Sequence, residues 1–279
     1  MVAGASGSAL ASGVSPILVC SKGRPDGSTF GLLAASGLKA HVIVEPQDVE
    51  SYRGCDVHGG NEVIELKAND QGISYARNAA LDYGRKAGWR TLWLLDDDLK
   101  RFHRADFSSH RLQDATAHAA LAGAERIIEA AGVDQGALEY AQFAWSARPR
   151  AAWNSYCDVV VWFDLARLGA LRYRGEKEDR DMTLQILTSG GRTVRVPHFS
   201  FSCPRNGSNA GGLKSRYDDP SWERAAVQAL VLRWPGVCTA HVKPSGRIDA
   251  KINWSLFSPR RLMRQAPATA PPTHGREAP

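Results

Sequence analysis

Apolar residues in this chain fall into short unbroken runs separated by stretches with helical spacing. Ile17-Leu18-Val19-Cys20, Val42-Ile43-Val44 and Leu92-Trp93-Leu94-Leu95 show no polar alternation. A strand with one wet face would alternate, so these runs predict strands covered on both sides, as in a largely parallel sheet. Val63-Ile64-Glu65-Leu66 predicts a further strand. Helices are expected over 28–37 and over 72–87, where Ile73, Ala76, Ala80 and Leu81 share a face. This strand–helix alternation argues for an α/β fold built on right-handed crossovers. The second half is less regular. It predicts helices near 114–131, 178–189 and 218–233, strands at 158–163 and 194–201, and a loop over 202–213. Residues 1–14 and 261–279 read as loose tails around one domain at 15–260, since both are poor in large apolar residues.

The chemistry is concentrated where the third apolar run ends, in Asp96-Asp97-Asp98. Three adjacent carboxylates repel one another and need a counter-ion if a buried strand delivers them. Ligands of open α/β sheets bind beyond the carboxyl ends of strands. Hard oxygen donors suit Mg²⁺ or Mn²⁺, which in turn suit a diphosphate; a solvated acidic turn is the plain alternative. A second acidic group, Glu178-Asp179-Arg180-Asp181, opens a helix about eighty residues later. Alone it needs no more than stabilisation of a helix N-terminus. Paired with a metal site it supplies the other half of a transfer reaction, a carboxylate that deprotonates an acceptor.

Composition narrows the class. The 279 residues carry a net charge of +6, which favours anionic partners such as nucleotides or nucleic acid. Five scattered cysteines with no CxxC pair form neither a zinc framework nor a disulfide scaffold, which suits a reducing cytoplasm. With no leader-like start and no apolar stretch of membrane-spanning length, the chain reads as soluble and cytoplasmic, without a membrane partner.

The order of these motifs resembles the GT-A glycosyltransferases. The matching segments are Gly72-Ile73-Ser74-Tyr75-Ala76-Arg77-Asn78, the strand end Asp96-Asp97-Asp98 and Glu178-Asp179, spread over roughly 15–257. Within that fold the chain is most similar to the bacteriophage TET-associated glycosyltransferases, thought to glycosylate 5-hydroxymethylpyrimidines in DNA. That similarity rests on the Ser-x-x-Arg turn at Ser21 and Arg24, on LLDDDL, on EDRDMTLQIL and on the loop Asn209-Ala210-Gly211-Gly212. The resemblance implies a GT-A-like single domain with a central, mostly parallel mixed sheet flanked by helices. It also implies transfer of a hexose from a UDP-sugar to 5-hydroxymethylcytosine in double-stranded DNA, in the host cytoplasm if phage-encoded.

Carried over residue by residue, Asp179 is the implied base with Glu178 beside it. Asp96 and Asp98 are implied to hold Mn²⁺ or Mg²⁺, with His198, or else His241, as a third ligand. Ser21, Arg24, Glu45, Arg77, Asp96 and Asp97 are expected around the nucleotide-sugar. Asp97 could instead point away, and Arg77 could instead form a surface ion pair. Trp145, Arg148, Trp153, Gly211 and Gly212 are candidates for acceptor binding, although the tryptophans could equally be wall or core residues. Three rivals remain: a GT-A enzyme with a non-DNA acceptor, a sugar-phosphate nucleotidyltransferase, and a non-catalytic nucleic-acid-binding module. The absence of a Gly-rich loop after Cys20 counts against the second. The third leaves the two acidic groups without a purpose.

Overall fold

A computed structural model describes residues 13–144, 151–204, 219–244 and 246–258. Ten strands form one mixed sheet in the order β3-β2-β1-β4-β9-β7-β10-β5-β6, with β8 beside β10. The parallel half comprises β1 (Ile17–Cys20), β2 (His41–Val44), β3 (Glu62–Glu65) and β4 (Thr91–Asp96). β4 then pairs antiparallel with β9 (Val160–Asp164), and β9 with β7 (Gln135–Tyr140). β7 runs parallel to β10 (Thr193–Ser202), so β1, β4, β7 and β10 all end at one edge. The expectation of a mostly parallel sheet thus holds for the first half, and the second half is mixed.

Helices cover both faces. On one lie α1 (Ser28–Ala34) and α4 (Ala117–Ala131), packed on Val19, Trp93 and Leu95. On the other lie α3 (Ile73–Lys86), α6 (Leu165–Leu168) and α7 (Glu178–Thr188), packed on Leu18, Leu92 and Leu94. Successive residues of β4 therefore face different helical layers, which is why its sequence does not alternate. The short helices α2 (Val49–Arg53) and α5 (Ala141–Ala144) lie in connections.

A separate unit packs outside α7. It consists of α8 (Pro220–Arg233) and a hairpin of β11 (Cys238–Val242) and β12 (Ile248–Ile252). Leu184 and Leu187 of α7 meet Val227, Leu230, Cys238 and Ile252 there. With Met182 and Ile186 turned to the sheet, α7 is covered on both sides.

Several boundaries differ from those expected from sequence. The first helix ends at Ala34 and not at residue 37. The helix expected from 114 starts at Ala117, because 111–115 form β6, paired with β5 (Arg101–Asp106), and Thr116 caps the helix. Val14, assigned to the N-terminal tail, is buried in the core. β5, β7 and the β11–β12 hairpin have no counterpart in the sequence reading. All five cysteines are free thiols. Among the described residues no helix is long and apolar enough to cross a membrane.

Candidate active site

The site begins with one face of α3. Gly72, at φ +84, turns the chain into the helix in a conformation that strains any residue with a Cβ. Ser74, Arg77 and Asn78 follow at spacings that put them on one face. Ser74 Oγ donates to Gly175 O at 2.6 Å, and the Asn78 amide bonds both Tyr173 O and Tyr173 N at 2.9 Å. This face therefore holds the 173–178 segment that leads into α7.

Arg77 connects the two acidic groups. Its Nη2 lies 2.8 Å from Asp96 Oδ1, and its Nη1 lies 3.1 Å from Glu178 Oε1 and also bonds Asp179. The guanidinium is buried and sits 5.4 Å from the Tyr173 ring. Burial disfavours its charge, but Asp96 and Glu178 outweigh that and hold it protonated. Burial also raises the Glu178 carboxyl above its ordinary range, with Arg77 pulling the other way. The surface ion pair considered for Arg77 is thus replaced by a buried clamp. Three carboxylates engage it, so Arg77 fixes where the two acidic groups stand.

The acidic strand end divides by pleat. Asp96 and Asp98 have side chains 34% and 27% exposed, while Asp97 at 1% turns into the protein. Asp97 accepts from Ser21 Oγ and pairs with Arg24 Nη2 at 2.8 Å; Tyr52 OH lies 2.5 Å from Ser21 Oγ. Arg24 Nη1 lies 3.4 Å from Asp98. Ser21, Arg24 and Asp97 therefore brace the turn from within. The Thr29 hydroxyl donates to Asp96 O at 2.7 Å and accepts from Leu99 N at 3.0 Å. A Cβ on Gly27 would come 2.6 Å from Asp97 O, so this approach requires glycine. Val159 O accepts from Asp96 N at 3.0 Å while Val159 sits at φ +62, a strained conformation for a β-branched residue. Glu45 is buried and pairs with Lys22 at 2.8 Å.

Two partly exposed carboxylates at one strand end fit a hard divalent ion. Mg²⁺ is usually held by one or two carboxylates, with substrate oxygens and water completing its shell. Among the described residues no group of three or more His, Cys, Asp or Glu forms a metal-binding cluster. His198 does not join the aspartates. It lies in the bulge of β10 against Phe107, in the β5–β6 turn, at the far end of β5 from Asp98. His241 is exposed on β11 opposite Asp249. Trp153 lies apart from the acidic strand end, because β8 (Ala152–Trp153) is separated from β4 by β9, β7 and β10, about 19 Å at the usual strand spacing. It stacks with Arg192 instead. Trp145, Arg148, Gly211 and Gly212 lie outside the described residues.

Burial pushes the Asp97 carboxyl up to about 7, against the pull of Arg24 and Ser21. Its unfolded value is about 4, so the fold prefers the protonated form. That stabilisation is complete below pH 4, is lost as pH rises toward 7, and changes no further above it. Asp97→Asn mimics the protonated state. Its stability relative to wild type should therefore rise as pH increases from 4 to 7, read as a difference between urea unfolding curves. A difference that stays flat with pH would contradict this assignment.

A cleft of about 150 Å³ opens beside the second acidic group, lined by Tyr156, Glu178, Asp179, Arg180, Trp222 and Lys243 among others. Asp179 is 21% exposed there, against 8% for Glu178. Asp181, expected only to stabilise the helix start, is fully buried and bonded to Arg174, Arg233 and Trp234. The role of α8 in closing over α7 gave no sequence signal beyond its helical spacing.

The family model for TET-associated glycosyltransferases matches residues 15–212. The chain belongs to this family. It is therefore a glycosyltransferase, which sets aside the nucleotidyltransferase and the non-catalytic module. This TET-associated glycosyltransferase is an α/β protein with a central mixed sheet, helices on both faces and an acidic strand end. No curated protein matches the chain. Solved structures similar to it include glucosyl-3-phosphoglycerate synthase from Mycobacterium tuberculosis in complex with Mn²⁺, UDP and phosphoglyceric acid. That pair has 13% identity and a TM-score of 0.48, covering 85% of each chain. A197 from STIV has 12% identity and a TM-score of 0.42, covering 68% of this chain and 85% of that one. A putative nucleotide-diphospho-sugar transferase from Desulfovibrio desulfuricans has 10% identity and a TM-score of 0.38, covering 64% and 78%.

Proposed function

We propose that this glycosyltransferase moves a hexose from a UDP-sugar to the hydroxyl of 5-hydroxymethylcytosine in DNA. The observation that carries the proposal is the Arg77 clamp, which brings Asp96 and Glu178–Asp179 onto one guanidinium. A donor seated at the strand end would then lie beside a carboxylate able to take the acceptor's proton. Asp96 and Asp98 would hold Mn²⁺ or Mg²⁺, which neutralises charge on the departing diphosphate. Asp179, the more exposed carboxylate of the pair, accepts the hydroxyl proton as the oxygen attacks the sugar C1 opposite UDP. Glu178 and Arg77 keep it aimed. The net charge of +6 supports a polyanionic acceptor. A duplex acceptor would need its base extruded to reach a carboxylate at the foot of a cleft.

The test is UDP release with hydroxymethylated DNA, unmodified DNA and no DNA, followed by mass spectrometry of the nucleosides. Transfer confined to the modified base supports the reading. Transfer to a non-DNA hydroxyl alone would leave the family assignment standing and remove this acceptor. Asp98→Ala should abolish ion-dependent UDP-sugar binding in calorimetry, and chelation of the wild type should do the same. Chelator-resistant binding in the variant would remove Asp98 from the metal site.

A further inference from the structure

Beside the acidic strand end lies a buried polar cluster that the transfer step itself does not use. Asp158, at the entry to β9, is 3% exposed. Three donors converge on its carboxylate: Tyr140 OH at 2.5 Å, Tyr156 OH, and Arg195 Nη2 at 3.2 Å. Arg195 lies 5.1 Å from the Tyr156 ring and 5.9 Å from the Tyr140 ring, with Nη1 3.1 Å from Glu139. Burial, and then the Asp158 charge, raises both phenols well above their ordinary range, so both stay donors. The strain falls on the next residue. Val160 N donates to Asp158 O at 2.7 Å across Val159 at φ +62, a γ-turn in its rare, strained form. Such strain persists only where the surroundings over-determine it. The three donors on Asp158 hold the turn from one side. On the other, Val159 O accepts from Asp96 N at 3.0 Å.

We infer that Asp158 is a positioning residue for the transfer: through the Val159 turn it fixes Asp96 relative to the cleft beside Asp179. Tyr156 lines that cleft. One carboxylate is therefore bonded to the cleft wall by its side chain, and tied to the donor-side strand end by the adjoining turn. A cluster that only held β9 to β7 and β10 would have no need of a strained residue. The strain stands directly against the amide of Asp96, which gives the cluster a use in the site. Residues that orient a ligating carboxylate from behind matter to metal affinity nearly as much as the ligand itself. Every group that reaches Asp158 is a donor, so an amide in its place would turn an N–H toward one of them. The inference rests on the proposed role of Asp96 in holding Mn²⁺ or Mg²⁺.

Val159→Gly and Val159→Ala separate positioning from packing. Both remove the valine methyls, but glycine also frees φ, whereas alanine stays restricted. With no Cβ to strain at φ +62, Val159→Gly should be at least as stable as Val159→Ala in urea unfolding. Calorimetry of UDP with Mn²⁺ present should nevertheless show the glycine variant binding about tenfold more weakly than the alanine variant, the size usual for losing an outer support. The electron paramagnetic resonance spectrum of Mn²⁺ with UDP should change in Val159→Gly more than in Val159→Ala. Affinity that merely follows stability across this pair assigns the cluster to packing and overturns the inference. Asp158→Asn should weaken Mn²⁺–UDP binding by about 10–100-fold, with the fold checked by circular dichroism. Tyr140→Phe removes one donor from a residue outside the cleft lining and should weaken binding in the same direction, by less. Wild-type affinity in both Asp158→Asn and Val159→Gly overturns the inference while leaving the metal site standing. Absence of Mn²⁺–UDP binding by the wild type would remove the metal site itself, and this inference with it, so the two failures are distinguishable.

Discussion

Asp179→Asn should lower turnover by on the order of 10²–10⁴ while leaving UDP-sugar binding close to wild type. The substitution keeps the side chain's shape and removes only its capacity to accept a proton. Asp179 stands on the first turn of α7 with 21% of its side chain exposed to the cleft, and Arg77 retains Asp96 and Glu178 when its charge is lost. The fold and the donor side should therefore be spared. Stopped-time assays of UDP release, run beside calorimetry of the donor, separate the two effects. Glu178→Gln should cost less, because Glu178 is buried against Arg77. If Asp179→Asn turns over at near the wild-type rate with an intact fold, the base lies elsewhere or the sugar is transferred with retention. NMR assignment of the product's anomeric configuration decides between these.

Arg77→Met should destabilise the protein by about 3–5 kcal/mol, the usual cost of removing one partner from a buried ion pair. Here three carboxylates lose a shared cation: Asp96, Glu178 and Asp179 would face one another across an apolar side chain. Protonating one of them relieves the repulsion, and Glu178 is held above its ordinary range even in the wild type. The stability deficit of the variant should therefore shrink as pH falls from 7 to 5, measured by urea unfolding. Arg77→Lys should recover part of the loss, since one ammonium supplies the charge but not the fork that reaches both acidic groups. A deficit below about 1 kcal/mol for Arg77→Met would mean that the clamp does not hold the two groups together.

The parts of the protein legible in the sequence are those set by local pattern. Unbroken apolar runs marked β1, β2 and β4 because a strand covered on both faces needs an apolar residue at every position. The acidic strand end stood out because three adjacent charges after a buried run need a partner. The opening of α7 stood out because carboxylates gather at helix N-termini. β5, β6 and the β11–β12 hairpin were not legible: their residues are mixed in polarity, and pairing with a neighbouring strand holds them. Strand pleat decided that Asp97 turns inward to Ser21 and Arg24 while Asp96 and Asp98 face out. His198 and Trp153 were separated from the site by register and strand order, which residue type does not encode. Local pattern was enough to read the α/β class, the two acidic groups and the family resemblance. That Arg77 joins those groups, and that the C-terminal unit walls the cleft, came only from packing. Both depend on side chains brought together from about 19 to more than 100 positions apart, through the packing of α3 and α8 around α7.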